Sequence, residues 1–295
     1  THGEASLWQK DLGQLLVGRN VITIPAISTA ANQEQGGSLY VAWGGALNEN
    51  PIYSVRVSGG IDIPVLNVAG KTGQERTDAI EAYTAKLKAH VEALQTTHEK
   101  AGHEEEYQIT CIANYTEIVM DNMMYSVPAD QVWKSIEAGG AERLEQAIAA
   151  MEQQVDLFYQ HKGYNKSAAA NSTDRYPRQR LNIRYHTMFT GAFMYAGGKH
   201  IGIEYGSVPG LFSITPVVAD ENGKHQSGRL TGWGIAHEIG HVINNGKYAV
   251  AEVTNNYFSI LATQNPRSNY ESVYRTVTSE TTGASGSVMT SLAMY

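Results

Sequence analysis

Gly232-Trp233-Gly234-Ile235-Ala236-His237-Glu238-Ile239-Gly240-His241-Val242-Ile243-Asn244-Asn245-Gly246, followed by Glu252, is the stretch that decides how this chain reads. Ile235, Ile239, Val242 and Ile243 supply apolar positions at helical spacing, so a helix is predicted over 234–244 with its other side buried. Gly232-Trp233-Gly234 leads into it, and Asn244-Asn245-Gly246 supplies a C-terminal stop. On such a helix His237 and His241 lie one turn apart on one face, so both imidazoles can reach a single metal ion. Glu238 sits one step round, close enough to touch a metal-bound water without ligating.

A second helix is predicted over Ala249–Gln264, with Val250, Val253, Tyr257, Ile260 and Leu261 as its packing face. Glu252 falls in its first turn, and a short connection would bring that carboxylate back to the histidines as a third ligand. Two His, one acid and an open position make a hydrolytic zinc site. Asn255 and Asn256 follow one turn along. Asn256 is placed to accept from the non-ligating nitrogen of a metal-bound His. Asn255 is a candidate to hydrogen-bond substrate.

Composition bounds the rest. A chain of 295 residues supports a sizeable core in one large domain or two modest ones. Its net charge of −7, with no dense Lys/Arg cluster, argues against nucleic acid as a partner. No apolar run is long enough to cross a membrane. The single cysteine, Cys111, excludes an internal disulfide and a Cys-based zinc site, and its apolar surroundings fit a buried, inert thiol.

The fold class expected is α+β, with a sheet beside the catalytic helices and a β-rich region in front. Residues 1–70 carry short Val/Ile/Tyr runs (Val21–Pro25, Ser38–Trp43, Ile52–Ser58, Ile61–Val68) between Gly/Asn/Pro clusters and form the N-terminal region, possibly part of a β-sandwich. Residues 71–295 form the catalytic domain. In it a helix is predicted over 76–98, capped by Asp78, and a long one over Ala141–His161. Strands are expected at Tyr107–Ala113, Thr116–Val127, Arg180–Phe193 and Lys199–Tyr205. His98, His103, His186 and His200 read as ordinary solvated or strand residues rather than ligands.

On the segment Gly232–His241 with Ala251-Glu252-Val253-Thr254-Asn255-Asn256, the chain resembles the M60 (enhancin-like) peptidases, a gluzincin family that includes bacterial mucinases and O-glycopeptidases. Weaker likeness runs through Thr116–Pro128, the 141–161 helix and Asn182–Ile203, while residues 1–70 match less well. The resemblance implies zinc (Zn2+) held by His237, His241 and Glu252, with Glu238 as catalytic base. It implies a secreted or cell-surface bacterial enzyme acting on O-glycosylated proteins such as mucins. The family usually continues beyond the apolar pattern that ends at Tyr295, so a catalytic domain truncated at its C-terminus, linked to further modules, is expected.

Substrate would pair with a strand inside Phe193–Tyr205, with Gly197 and Gly198 allowing close approach. Trp233 could stack on a sugar or pack as a staple at the helix start. Tyr257, Tyr270 and Tyr274 are candidate oxyanion donors. Two other readings stand beside this one: a general gluzincin endopeptidase with no glycan requirement, and a mucin-binding adhesin module whose metal site is vestigial.

Overall fold

The computed structural model describes residues 11–23, 39–41, 54–60, 62–101, 113–169, 171–185, 193–197, 200–221, 225–250, 252–263, 276–278 and 285–287. Six strands form its main sheet: β1 (Val65–Asn67), β2 (Thr116–Val119), β3 (Met123–Val127), β4 (Leu181–Tyr185), β5 (Met194–Gly197) and β6 (His200–Ile203). They lie in the order β1-β2-β3-β4-β6-β5, which leaves β5 on an edge. The β2–β3 and β5–β6 pairs are antiparallel and the others parallel. Ile118, Met123, Tyr125, Val127, Ile183, Ile201 and Ile203 bury these strands, which therefore read as apolar runs rather than clean alternations. The α+β architecture with a sheet beside the motif helix is the one observed.

Among the described residues the α-helices are α1 (Gly73–Ala101), α2 (Ala129–Ile136), α3 (Gly140–His161), α4 (Trp233–Ile243) and α5 (Asn256–Thr263). Ile80, Tyr83, Leu87 and Val91, at spacings of three and four, make the buried stripe of α1. This helix starts at Gly73, ahead of the expected cap: Asp78 lies inside it and accepts from Gln74 Nε2 at 2.7 Å. Gly73 opens the helix with φ of 53°, a left-handed conformation that glycine adopts without penalty. Arg76 ties α1 to α3, with Nε 3.0 Å from Glu145 and Nη2 2.9 Å from Glu152.

The long helix α3 positions the motif. Its buried Gln154 accepts from both the backbone N–H (2.9 Å) and the hydroxyl (2.8 Å) of Thr231, two residues before α4 begins. Gln153 reads the backbone of Val217 in both directions, at 2.6 and 2.8 Å. Val217 belongs to β7 (Thr215–Ala219), which pairs with β8 (His225–Arg229) in a separate hairpin. That hairpin was not expected, because His225-Gln226-Ser227-Gly228-Arg229 holds neither β-branched nor aromatic residues. A last small pair joins β9 (Thr276–Thr278) and β10 (Ser285–Ser287).

Before residue 62 the described residues contain no strand. The runs Val21–Pro25, Ser38–Trp43 and Ile52–Ser58 fall only partly within them. β1 lies on the N-terminal side of the boundary drawn at residue 70, yet it pairs with β2 inside the main sheet. The segment Val65–Asn67 is therefore part of the same sheet. Tyr40 also reaches that sheet, donating its hydroxyl to Glu117 on β2. Cys111, His103, His186 and all of the expected strand at Tyr107–Ala113 except Ala113 lie outside the described residues. His200 is buried on β6 with Nε2 2.9 Å from the Tyr195 hydroxyl, as an ordinary strand residue would be.

Candidate metal centre

Helix α4 forms where its spacing predicts, over Trp233–Ile243. Ile235, Ala236, Ile239 and Ile243 bury one side in the core, which turns His237 and His241 to the opposite, more open side. Removing those four residues from water holds the helix in one orientation, since apolar burial contributes about 25 cal/mol per Å². Lys162, one residue past α3, donates to the Ile243 carbonyl at the helix end, a favourable place for a cation.

The second half of the site is not a helix. The expected segment Ala249–Gln264 becomes helical only at Asn256. Before it Glu252 has φ of 60°, the left-handed region that non-glycine residues seldom adopt, at a cost of about 1–2 kcal/mol. Thr254 explains the interruption. Its hydroxyl accepts from Val250 N–H (3.1 Å) and Asn244 Nδ2 (2.6 Å), and donates to the Val250 carbonyl (3.1 Å). A side chain that serves the backbone in this way competes with helix formation.

The turn crosses α4 at Gly240. A Cβ there would stand 2.7 Å from the Asn255 carbonyl oxygen and 3.0 Å from its Cα, so only glycine lets the two segments approach. This contact carries Glu252 to the histidines. His237 Nε2 lies 2.9 Å from Glu252 Oε2, His241 Nε2 3.2 Å from Oε1, and the two imidazole nitrogens 3.2 Å from each other. One donor atom from each residue falls within 4.8 Å of the others. Glu252 is the exposed member, 69% accessible against 16% for His237.

Hydrogen bonding fixes what these atoms present. Asn256 Nδ2 donates to the Glu252 carbonyl at 2.7 Å, so its amide oxygen must be the atom 2.7 Å from His237 Nδ1. An amide oxygen only accepts, so Nδ1 carries a proton and Nε2 is the ring atom turned towards Glu252. Two imidazole nitrogens and a carboxylate therefore converge at 2.9–3.2 Å, a set that a shared cation would hold together. Donors at about 2.0–2.1 Å from a tetrahedral ion stand roughly 3.3 Å apart, close to the observed edges. The donor set fits a divalent metal.

Glu238 points to the edge strand. Burial pushes its carboxyl above the ordinary range; His237 and His241 pull the other way, Glu252 adds to the rise, and the Ala196 N–H of β5 donates to it and lowers it. That backbone donor left no trace in the sequence. Trp233 is the half-buried first residue of α4, and its carbonyl accepts from Ser259 of α5 at 3.1 Å. Asn255 is 1% exposed, with its amide against both histidines. Gly197 ends β5; Gly198 lies outside the described residues, as do Tyr270 and Tyr274. The Tyr257 hydroxyl is bonded to His161 Nδ1 at 3.0 Å, at the end of α3.

Similar solved structures include the M60 catalytic domain of Clostridium perfringens ZmpC in complex with the sialyl T antigen. It is 22% identical with a TM-score of 0.48, over 70% of this chain and 34% of that one. The catalytic module of the metalloprotease ZmpA from Clostridium perfringens is 18% identical with a TM-score of 0.47, over 70% and 34%. A metallopeptidase from Bacteroides thetaiotaomicron is 17% identical with a TM-score of 0.40, over 70% and 27%. The chain thus spans about a third of the length of these structures or less. No curated protein matches it. Residues 103–290, more than half of the chain and including His237, Glu238, His241 and Glu252, match the model of one family. The chain belongs to that family, peptidase M60, enhancin and enhancin-like.

Proposed function

We propose that this chain is the catalytic part of a zinc endopeptidase that hydrolyses O-glycosylated, mucin-like proteins outside the cell. The observation that carries the reading is the convergence of His237, His241 and Glu252 beside the half-buried Glu238. Two imidazoles and one carboxylate are the donors zinc takes in hydrolytic sites that keep one position open. When bound, zinc would supply a Lewis acid and bring the pKa of water down to about 7.

The protein's own residues would do the rest. Glu238 takes the proton of the attacking water and returns it to the leaving amine. β5 lies on the sheet edge next to Glu238, where an extended peptide can add as a further strand. Asn256 holds His237 in the tautomer that presents Nε2. Membership in the M60 family supports the O-glycosylated substrate class. Among the described residues no helix is long and apolar enough to cross a membrane.

One defined O-glycopeptide and its unglycosylated twin, digested with and without chelator and read by mass spectrometry, test this reading. Cleavage of the glycopeptide alone, abolished by chelator, is expected. Equal hydrolysis of both peptides would mean a general gluzincin endopeptidase, and an intact but bound glycopeptide would mean a binding module. Glu238→Gln should retain zinc and lose at least about 100-fold in turnover. Undiminished cleavage by that variant removes Glu238 as the base.

A further inference from the structure

We propose that Asn255 is a fourth, displaceable donor to the metal, acting through its side-chain oxygen. This rests on the metal reading of His237, His241 and Glu252 and goes one residue beyond it. The end of the Asn255 amide that faces the site is 2.9 Å from His237 Nε2 and 2.8 Å from His241 Nε2. Those nitrogens are 3.2 Å from each other and 2.9 and 3.2 Å from the Glu252 carboxylate. Each separation is close to the edge of a tetrahedron of donors around one ion. Asn255 thus offers a fourth donor position against both histidines.

The position is built. Asn255 is 1% exposed, and its backbone is pressed against Gly240 at a distance no other residue would allow. The far end of the amide, assigned as Oδ1, is buried and has no hydrogen-bond partner. In the metal-free arrangement the NH2 end gives its two protons to two imidazole lone pairs, which explains why it points inward and leaves the oxygen unsatisfied. A cation seated among the imidazoles takes up both lone pairs and repels an NH2 group at that corner. The two ends of an amide have nearly the same size, so a half-turn about Cβ–Cγ exchanges them in place. The oxygen then meets the ion.

A neutral carbonyl oxygen is a weaker donor than the carboxylate of Glu252, so water or a substrate carbonyl can displace it. Asn255 would therefore hold the open corner only until the attacking water takes it, and pair the histidines when no metal is bound.

Competition for Zn2+ against a chromophoric chelator tests this without any turnover. His237→Ala comes first: loss of tight zinc supports the metal reading, and retention overturns that reading whatever Asn255 does. Asn255→Ala and Asn255→Leu should then bind zinc at least about tenfold more weakly than the unaltered chain, with Asn255→Asp equal to it or tighter. The contrary role, in which the NH2 only pairs the imidazoles of the metal-free form, predicts the opposite sign. Zinc binding by Asn255→Ala as tight as, or tighter than, that of the unaltered chain overturns the proposal. Should the Ala and Leu variants fail to fold by circular dichroism, Asn255→Asp decides it: weaker zinc binding than the unaltered chain sinks the idea.

Discussion

The two halves of the metal centre are made in different ways. His237 and His241 stand on a regular helix whose direction is set by Ile235, Ile239 and Ile243 in the core. Glu252, Asn255 and Asn256 come from a turn and the first residue of α5, and the turn holds Glu252 in a left-handed backbone conformation. The first half is positioned by apolar packing and the second by polar bonds, chiefly those of Thr254 and Asn256. Stability and metal affinity should therefore respond to different substitutions.

Ile239→Ala should have the largest effect, about 2–5 kcal/mol lost in denaturant unfolding, because it empties space behind α4. Zinc affinity of the folded protein should stay as it was. If affinity collapses along with stability, the halves are not separable. Gly240→Ala comes next, at about 1–3 kcal/mol, since its methyl must displace the Asn255 backbone. It sits on the seam, so it should weaken both unfolding free energy and zinc binding. A loss of stability alone would show that the turn shifts without moving its donors.

The same contrast explains what could be read in advance. The i, i+4 histidines, the buried face of α4 and the long α3 follow from local periodicity and are found close to their expected residues, whereas the single strand expected over Thr116–Val127 is the β2–β3 hairpin. The helical spacing of Val250, Val253, Tyr257, Ile260 and Leu261 predicts a regular helix through Glu252. The side chain of Thr254 overrides that pattern through bonds to Asn244 and Val250, a tertiary choice with no periodic signature. The Ala196 N–H on Glu238 and the Gln154–Thr231 contact are hidden for the same reason, since they join residues far apart in the chain. The β7–β8 hairpin escaped because β8 is polar and glycine-containing. Asn255 was read as facing substrate, whereas Gly240 draws it under the histidines.

Asn256→Ala is the smallest of these perturbations and the most telling. It deletes the acceptor for His237 Nδ1–H and the donor to the Glu252 carbonyl, so one side chain couples both halves. Zinc affinity should fall about tenfold, or about 1.4 kcal/mol, while unfolding of the metal-free chain moves less. Asn256→Asp separates the two bonds. Its carboxylate still accepts from His237 but cannot donate to Glu252. Zinc binding near that of the unaltered chain in Asn256→Asp would assign the effect to the histidine tautomer. Binding as weak as in Asn256→Ala would assign it to the turn, and would mean that the irregular half, not the helix, limits how tightly the ion is held.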